Sequence, residues 1–258
     1  ETIKGGIKMS VKTTAYEEHG FYSLKQFDDV ATLKLGRNFL SNAIDLALKN
    51  SLVDVFDLIA ENDGIKVLVI MNCQEKIGCE GYIDFYRQVM ANEFDRRSIQ
   101  RMCNIFDQLI LKIVSFNKPV IHADCDEIIP LFLNLSLACD YRIVAIDTIF
   151  RKPNFELDTL PKGGGAFFLS KMLGYSKAKQ LLMSEKDINA FEALEIGIVD
   201  QVVPYSKLEE TAIQMAQDLA KKSVRSLEGI KRLINYTMKD IQDYLDFESF
   251  ELLKTIGV

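Results

Sequence analysis

NKPVIHADCDEIIPLFLNLSLACDYRIVAI, residues 117–146, carries the pattern that decides the fold. Asn117-Lys118-Pro119 is a turn signal leading into a short run at 120–123 that reads as a strand. A helix starts at Pro130, because proline at the first helical position gives up only an N–H that would lack a helical partner anyway. Residues 141–146 then read as a further strand, so this one stretch holds strand, helix and strand. Upstream, Ile99, Met102, Cys103, Phe106, Ile110 and Ile113 form one stripe of a helix. Residues 66–71 (KVLVIM) are a continuous apolar run between turn signals, the pattern of a strand covered on both faces. Residues 30–35 (VATLKL) read as another strand. Between the two lies a helix with Ile44, Leu48, Leu52, Val55, Phe56 and Ile59 on its buried face, ended by Asn62-Asp63-Gly64. After Ser206 no strand signal remains: Leu208, Ala212, Met215 and Leu219 mark one amphipathic helix, and two more helical segments run over about 223–256. Strands alternating with helices argue for an α/β class with mostly parallel strands, giving way near Pro204 to a helical subdomain.

The 258 residues are 48% hydrophobic and 26% charged, which supplies a sizeable core and excludes disordered and mini-protein readings. Lys and Arg number 31 against 37 Asp and Glu, a net charge of −6, so no global field draws a nucleic-acid backbone to the protein. No run approaches the roughly 18 apolar residues of a membrane span, and the first ten residues are polar and mixed in charge rather than signal-like. A cytoplasmic protein without a membrane partner is expected; residues 1–8, ahead of Met9, are set aside from the fold. Cys73, Cys79, Cys103, Cys125 and Cys139 are odd in number, dispersed and without a C-x-x-C pair, so reduced thiols are expected rather than disulfides or a zinc site. No dinucleotide, P-loop, zincin or nucleophile-elbow motif is present. Glycine, 14 residues, falls below the roughly 7% average, and its absence matters at one turn discussed below.

Several blocks in register carry a resemblance. Asn42-Ala43-Ile44 is similar to N-A-L, Phe150 and Pro153 to F-x-x-P, and Pro161-Lys162-Gly163-Gly164-Gly165 to P-G-G-G-G. Lys118-Pro119-Val120-Ile121 and Ala138-Cys139-Asp140-Tyr141-Arg142-Ile143 are further blocks, and residues 193–204 (ALEIGIVDQVVP) are similar to A-L-x-x-G-L-V-x-x-V-V-P. Over about residues 20–250 the chain resembles the crotonase (enoyl-CoA hydratase/isomerase) superfamily. The resemblance implies a spiral of ββα units over 9–204 and a C-terminal helical trimerisation subdomain over 205–258, with trimers that often stack as hexamers. It also implies a lyase or isomerase site of fatty acid metabolism, taking an acyl-CoA or carrier-bound acyl thioester as substrate and no other cofactor or metal. Coenzyme A contacts would fall at Leu40, Cys79, Gly81, Tyr82 and Ile83.

In that family two backbone N–H groups clamp the thioester carbonyl and stabilise the charge that develops on it. Here they correspond to Cys79 and Leu131, and the family's glycine triplet is Pro130-Leu131-Phe132, whose side chains are expected to crowd the turn. Hydration needs two groups that move a proton, met in the family by two glutamates; their positions are Asn134 and Asn154, and an amide orients water without accepting a proton. Relatives with isomerase or dehalogenase activity place a carboxylate where Lys162 stands. Candidates for replacement chemistry are Asp158, aided by Glu156, as a relocated base against a turn-forming role, and Lys162 as an anion site against a solvated surface charge. His122 and Asp124 share a strand face, against a bland reading in which Asp126 or Glu127 complements the helix end at Pro130. Cys79 is a weaker candidate nucleophile, and residues 93–97 read as a charged helix start. Two functions follow: a divergent activity on a thioester, or an inactive scaffold whose acyl cleft is filled by Leu131 and Phe132.

Overall fold

The computed structural model describes residues 13–19, 22–36, 46–72, 77–91 and 93–257. The block at 42–44, the candidate contact Leu40 and Cys73 lie outside the described residues.

Strand β1 (Thr13–His19) pairs antiparallel with β2 (Tyr22–Phe27), which pairs antiparallel with β3 (Val30–Leu35). From β3 the sheet continues in parallel through β4 (Val67–Asn72), β5 (Val120–Asp124), β7 (Tyr141–Ala145) and β10 (Gln201–Val203). A second, three-stranded sheet is formed by β6 (Glu127–Ile128), β8 (Ile149–Phe150) and β9 (Ile188–Asn189). The connecting helices are α1 (Leu46–Glu61), α2 (Cys79–Met90), α3 (Arg96–Ser115), α4 (Pro130–Leu137), α5 (Gly165–Leu173), α6 (Tyr175–Leu182) and α7 (Ala190–Ile196); α8 (Leu208–Ala220), α9 (Val224–Asn235) and α10 (Ile241–Thr255) follow. The mixed α/β class expected from the sequence is the one observed, and the four strands read from it are present with ends shifted by at most one residue.

Alternation along the strands sorts the core into two layers. Leu33, Leu68, Ile70, Val120 and Val144 face the main core with α1 to α4, whereas Val67, Val69, Met71, Ile121, Ala123 and Ile143 face a second layer closed by Leu208, Ala212, Ala216 and Leu219 of α8. Every residue of β4 is buried, as its unbroken apolar run requires. The sequence blocks between the elements fasten them. Lys118 Nζ donates to the Ile59 and Asn62 carbonyls at 2.7 and 2.8 Å, satisfying the C-terminal end of α1. Asp140 accepts from the Val120 N–H at 2.7 Å and pairs with Lys231 of α9, while Asp200 holds both the backbone and the guanidinium of Arg142 at 2.8 Å. These bonds give the blocks a structural role that is independent of catalysis. Among the described residues, no helix is long and apolar enough to cross a membrane.

Candidate functional site

Helix α4 and the turn after β8 form two walls of an apolar cavity of about 440 Å³, and α10 forms a third. Leu133, Phe150, Leu169 and Leu181 are among its lining residues; Asn134 and Asn154, from opposite ends of the sequence motif region, both reach it. Asn134 is buried, and its Nδ2 donates to the Lys162 carbonyl at 3.1 Å. Gly165 leaves room for this amide: a Cβ there would lie 2.5 Å from Asn134 Oδ1. Asn154 sits beside the buried Tyr82, whose hydroxyl pKa burial pushes up to about 12; its own Nδ2 finds no acceptor in hydrogen-bonding geometry among the described residues.

Leu131 and Phe132 do not fill this space. Both are packed into the main core and neither lines the cavity, which is bordered instead by Pro130 and Leu133. The crowding expected from loss of the glycines is absent because the helix turns these two side chains inward. The Leu131 N–H remains in the first turn of α4, among donors that have no carbonyl one turn back.

Lys162 is not a solvated surface charge. It is 2% exposed, and its Nζ donates to Asp107 of α3 and, at 3.2 Å, to Glu248 of α10. Glu248 also accepts the N–H groups of Gly163 at 2.8 Å and Gly164 at 3.0 Å, and Ser249 donates to Asp107 at 3.0 Å. Burial works against the lysine's charge, but the two carboxylates outweigh it and leave its pKa above the ordinary value. Burial pushes Asp107 up to about 6, a rise that Lys162 limits. Burial, with the Glu248 carboxylate next, likewise raises the Tyr244 hydroxyl. The sequence reading missed both acids, although a signal exists. Asp107 stands four residues after Cys103 and three before Ile110 on the apolar stripe of α3, and Glu248 occupies the buried row Ile241, Leu245, Glu248, Leu252 of α10. An acid on an apolar stripe needs a buried partner. Glu248 and Glu251 both line the cavity, but from one helix wall, so they do not face each other across it.

A polar vestibule of about 360 Å³ adjoins the cavity and shares Arg151, Lys152 and Phe155 with it. Cys79, the first residue of α2, lines it. Its N–H donates to Glu127 Oε2 at 2.9 Å, so the negative complement to a helix end that was read for the Pro130 helix falls on α2 instead. Arg151 lies 3.5 Å from Glu127 and 3.0 Å from Asp187. Burial raises the Cys79 thiol pKa, which opposes a nucleophilic role. Gly81 packs against Ile77, with a Cβ position only 2.8 Å from Ile77 Cγ1; Tyr82 meets Tyr86 in a tilted contact with ring centroids 4.8 Å apart, and Ile83 is half-buried against the core.

The remaining candidates lie elsewhere. Asp158 is exposed, off the cavity wall, and left-handed at φ 46°, the geometry of a turn residue in a glycine-like position; Glu156 is exposed on the same turn and lines the vestibule. His122 and Asp124 are buried in β5, where Asp124 accepts from Asn72 Nδ2 and the Cys125 N–H, and neither lines the cavity or vestibule. Asp95 caps α3 by accepting the Ser98 N–H at 2.6 Å, as the charged helix start implies.

This arrangement belongs to a known class. The enoyl-CoA hydratase/isomerase family profile matches residues 26–253, and the chain belongs to that family. It is 28% identical over 231 residues to the trans-2-decenoyl-(acyl-carrier-protein) isomerase of Streptococcus mutans, covering 88% of this chain and 86% of that one. It is also 28% identical over 228 residues to the short-chain-enoyl-CoA hydratase of Clostridium acetobutylicum, covering 88% and 85%. The crystal structure of enoyl-CoA hydratase from Bacillus halodurans superposes with a TM-score of 0.79 at 17% identity over 93% of this chain and 96% of that one, a likeness of fold.

Proposed function

We propose that this protein binds a medium-chain acyl thioester, carried on coenzyme A or an acyl carrier, and does not hydrate it. The apolar cavity carries the reading: about 440 Å³ is space for on the order of ten water-sized groups at roughly 30 Å³ each, far more than a four-carbon acyl group fills. The tail lies in the cavity and the thioester in the vestibule, near the Cys79 N–H. Asn134 and Asn154 hold polar groups of the ligand but accept no proton, so the two-group proton transfer of hydration has no agents. Migration of a double bond along the tail needs a single proton carrier, and the cavity-wall carboxylate not already held by Lys162 and the Gly163 and Gly164 amides is Glu251. No further cofactor enters. The exposed Leu233 and Tyr236 at the end of α9 and Phe250 on α10 support assembly as a homotrimer or hexamer, and a cytoplasmic location follows the same reading.

The test is a thermal shift with acetyl-, crotonyl- and decanoyl-CoA, together with turnover of crotonyl-CoA and of a 2-decenoyl thioester. A ligand held only by the native state at a hundredfold excess over Kd adds about 2.7 kcal/mol. Stabilisation by decanoyl-CoA without crotonyl-CoA hydration is expected. Hydration within about a hundredfold of the ~10 s⁻¹ typical of enzymes overturns the reading. A second reading, a scaffold with a silent site, is favoured by the occupation of the Cys79 N–H; no shift with any acyl-CoA at millimolar concentration would establish it.

A further inference from the structure

We propose that Glu127 is an internal competitor for the thioester: its carboxylate occupies the Cys79 N–H that the ligand's carbonyl requires, and binding proceeds only when it swings away. The inference rests on the thioester reading above. Three observations place Glu127 in this role. Its Oε2 accepts the Cys79 N–H at 2.9 Å, at the start of a helix whose dipole favours an anion. Its other oxygen lies 3.5 Å from Arg151, which Asp187 in turn holds at 3.0 Å, so the carboxylate is steered from both sides. The backbone beside it is bare: a Cβ on Gly78 would stand 3.0 Å from Glu127 Oε2, and the glycine leaves the carboxylate room to approach.

The competition is unequal. A carboxylate accepts a hydrogen bond about twice as strongly as a neutral carbonyl, so a thioester oxygen does not displace Glu127 without help from the rest of the ligand. The side chain is 42% exposed, however, and reaches α2 and Arg151 in the turn after β8 only through its tip, so it leaves by rotation without unpacking the core. The affinity measured for a thioester is then the intrinsic affinity reduced by the fraction of molecules in which Glu127 stands aside. Long tails overcome this reduction because the cavity contributes apolar contact that short ones lack. Glu127 thereby sets the affinity of the site, and the cavity sets the preference for tail length.

The experiment uses decanoyl-N-acetylcysteamine, an uncharged thioester, so that removing a negative charge near the site has no long-range effect on the probe. Calorimetric titrations compare the wild-type protein with Glu127→Ala and Gly78→Ala. Gly78 has φ −83° and ψ −174°, a conformation open to alanine, so the second variant crowds the carboxylate without deleting it. Both variants are expected to bind about tenfold tighter than wild type, by the same factor for butanoyl and decanoyl probes, because the competent fraction belongs to the protein and not to the tail. Equal affinity in all three proteins overturns the competitor role and leaves the thioester reading standing. Weaker binding by Glu127→Ala also overturns it, because Glu127 would then be a ligand contact. Absence of binding by every protein at millimolar probe overturns both.

Discussion

Replacing Lys162 by methionine keeps most of the side-chain volume and removes the one cation that Asp107 and Glu248 share among the described residues. Lys162, Asp107 and Glu248 are 2%, 5% and 7% exposed, so water does not screen what remains. Breaking a buried ion pair by deleting one partner costs about 3–5 kcal/mol, because the other partner is left charged and unpaired. For a chain of this length that corresponds to a fall in Tm on the order of 10 °C. The loss also depends on pH in a definite sense. Burial raises Asp107 to about 6 in the folded protein, above the value of about 4 for an exposed aspartate. The folded state therefore keeps this proton to higher pH than the unfolded chain does. The stability Asp107 contributes is fully present below about pH 4 and is lost as pH rises through about 6. Lys162 limits that rise, so in Lys162→Met the pKa climbs further and the deficit grows between pH 5 and pH 7.5. Urea unfolding followed by circular dichroism at these two pH values measures it. A deficit below about 1 kcal/mol at pH 7.5, or one larger at pH 5 than at pH 7.5, would refute the reasoning, because either result means that the two carboxylates do not depend on this cation.

Three further outcomes are expected. Gly165→Ala places a Cβ 2.5 Å from Asn134 Oδ1, displaces that amide from the Lys162 carbonyl and costs about 1–3 kcal/mol in calorimetric unfolding. Ala166→Phe projects a ring from the cavity wall, so decanoyl-CoA affinity falls by about tenfold or more while acetyl-CoA binding changes little. Burial pushes the Cys103 and Cys139 thiols up to about 12, so neither reacts with iodoacetamide at pH 8 in the native protein, and both do after unfolding, as peptide mass spectrometry will show.

Legibility in the sequence follows the range of the interaction. The stripe from Ile99 to Ile113 and the unbroken run of β4 were readable because burial imposes a period within a few residues. Helix α2 carries a similar stripe in Tyr82, Phe85, Tyr86 and Val89, legible by the same period. The bond from Cys79 to Glu127 joins residues 48 apart, and no local pattern announces it. Lys162 was misread for a related reason. A lone lysine beside three glycines looks solvated, and the acids that bury it lie 55 residues before and 86 residues after. Asn134 and Asn154 were identified from the resemblance, and their convergence on one cavity needed the fold.

Glu248 fixes when the hollow can exist during synthesis. A ribosome produces Asp107 and Lys162 long before Glu248, which trails Lys162 by 86 residues. Until the last helix docks, the Gly163 and Gly164 amides lack their acceptor and one wall of the hollow is missing. Contacts of such wide sequence separation close late, after local helices and the parallel strands have paired. Ligand occupancy therefore waits on α10, and a nascent chain halted before that helix leaves the apolar lining open on one side.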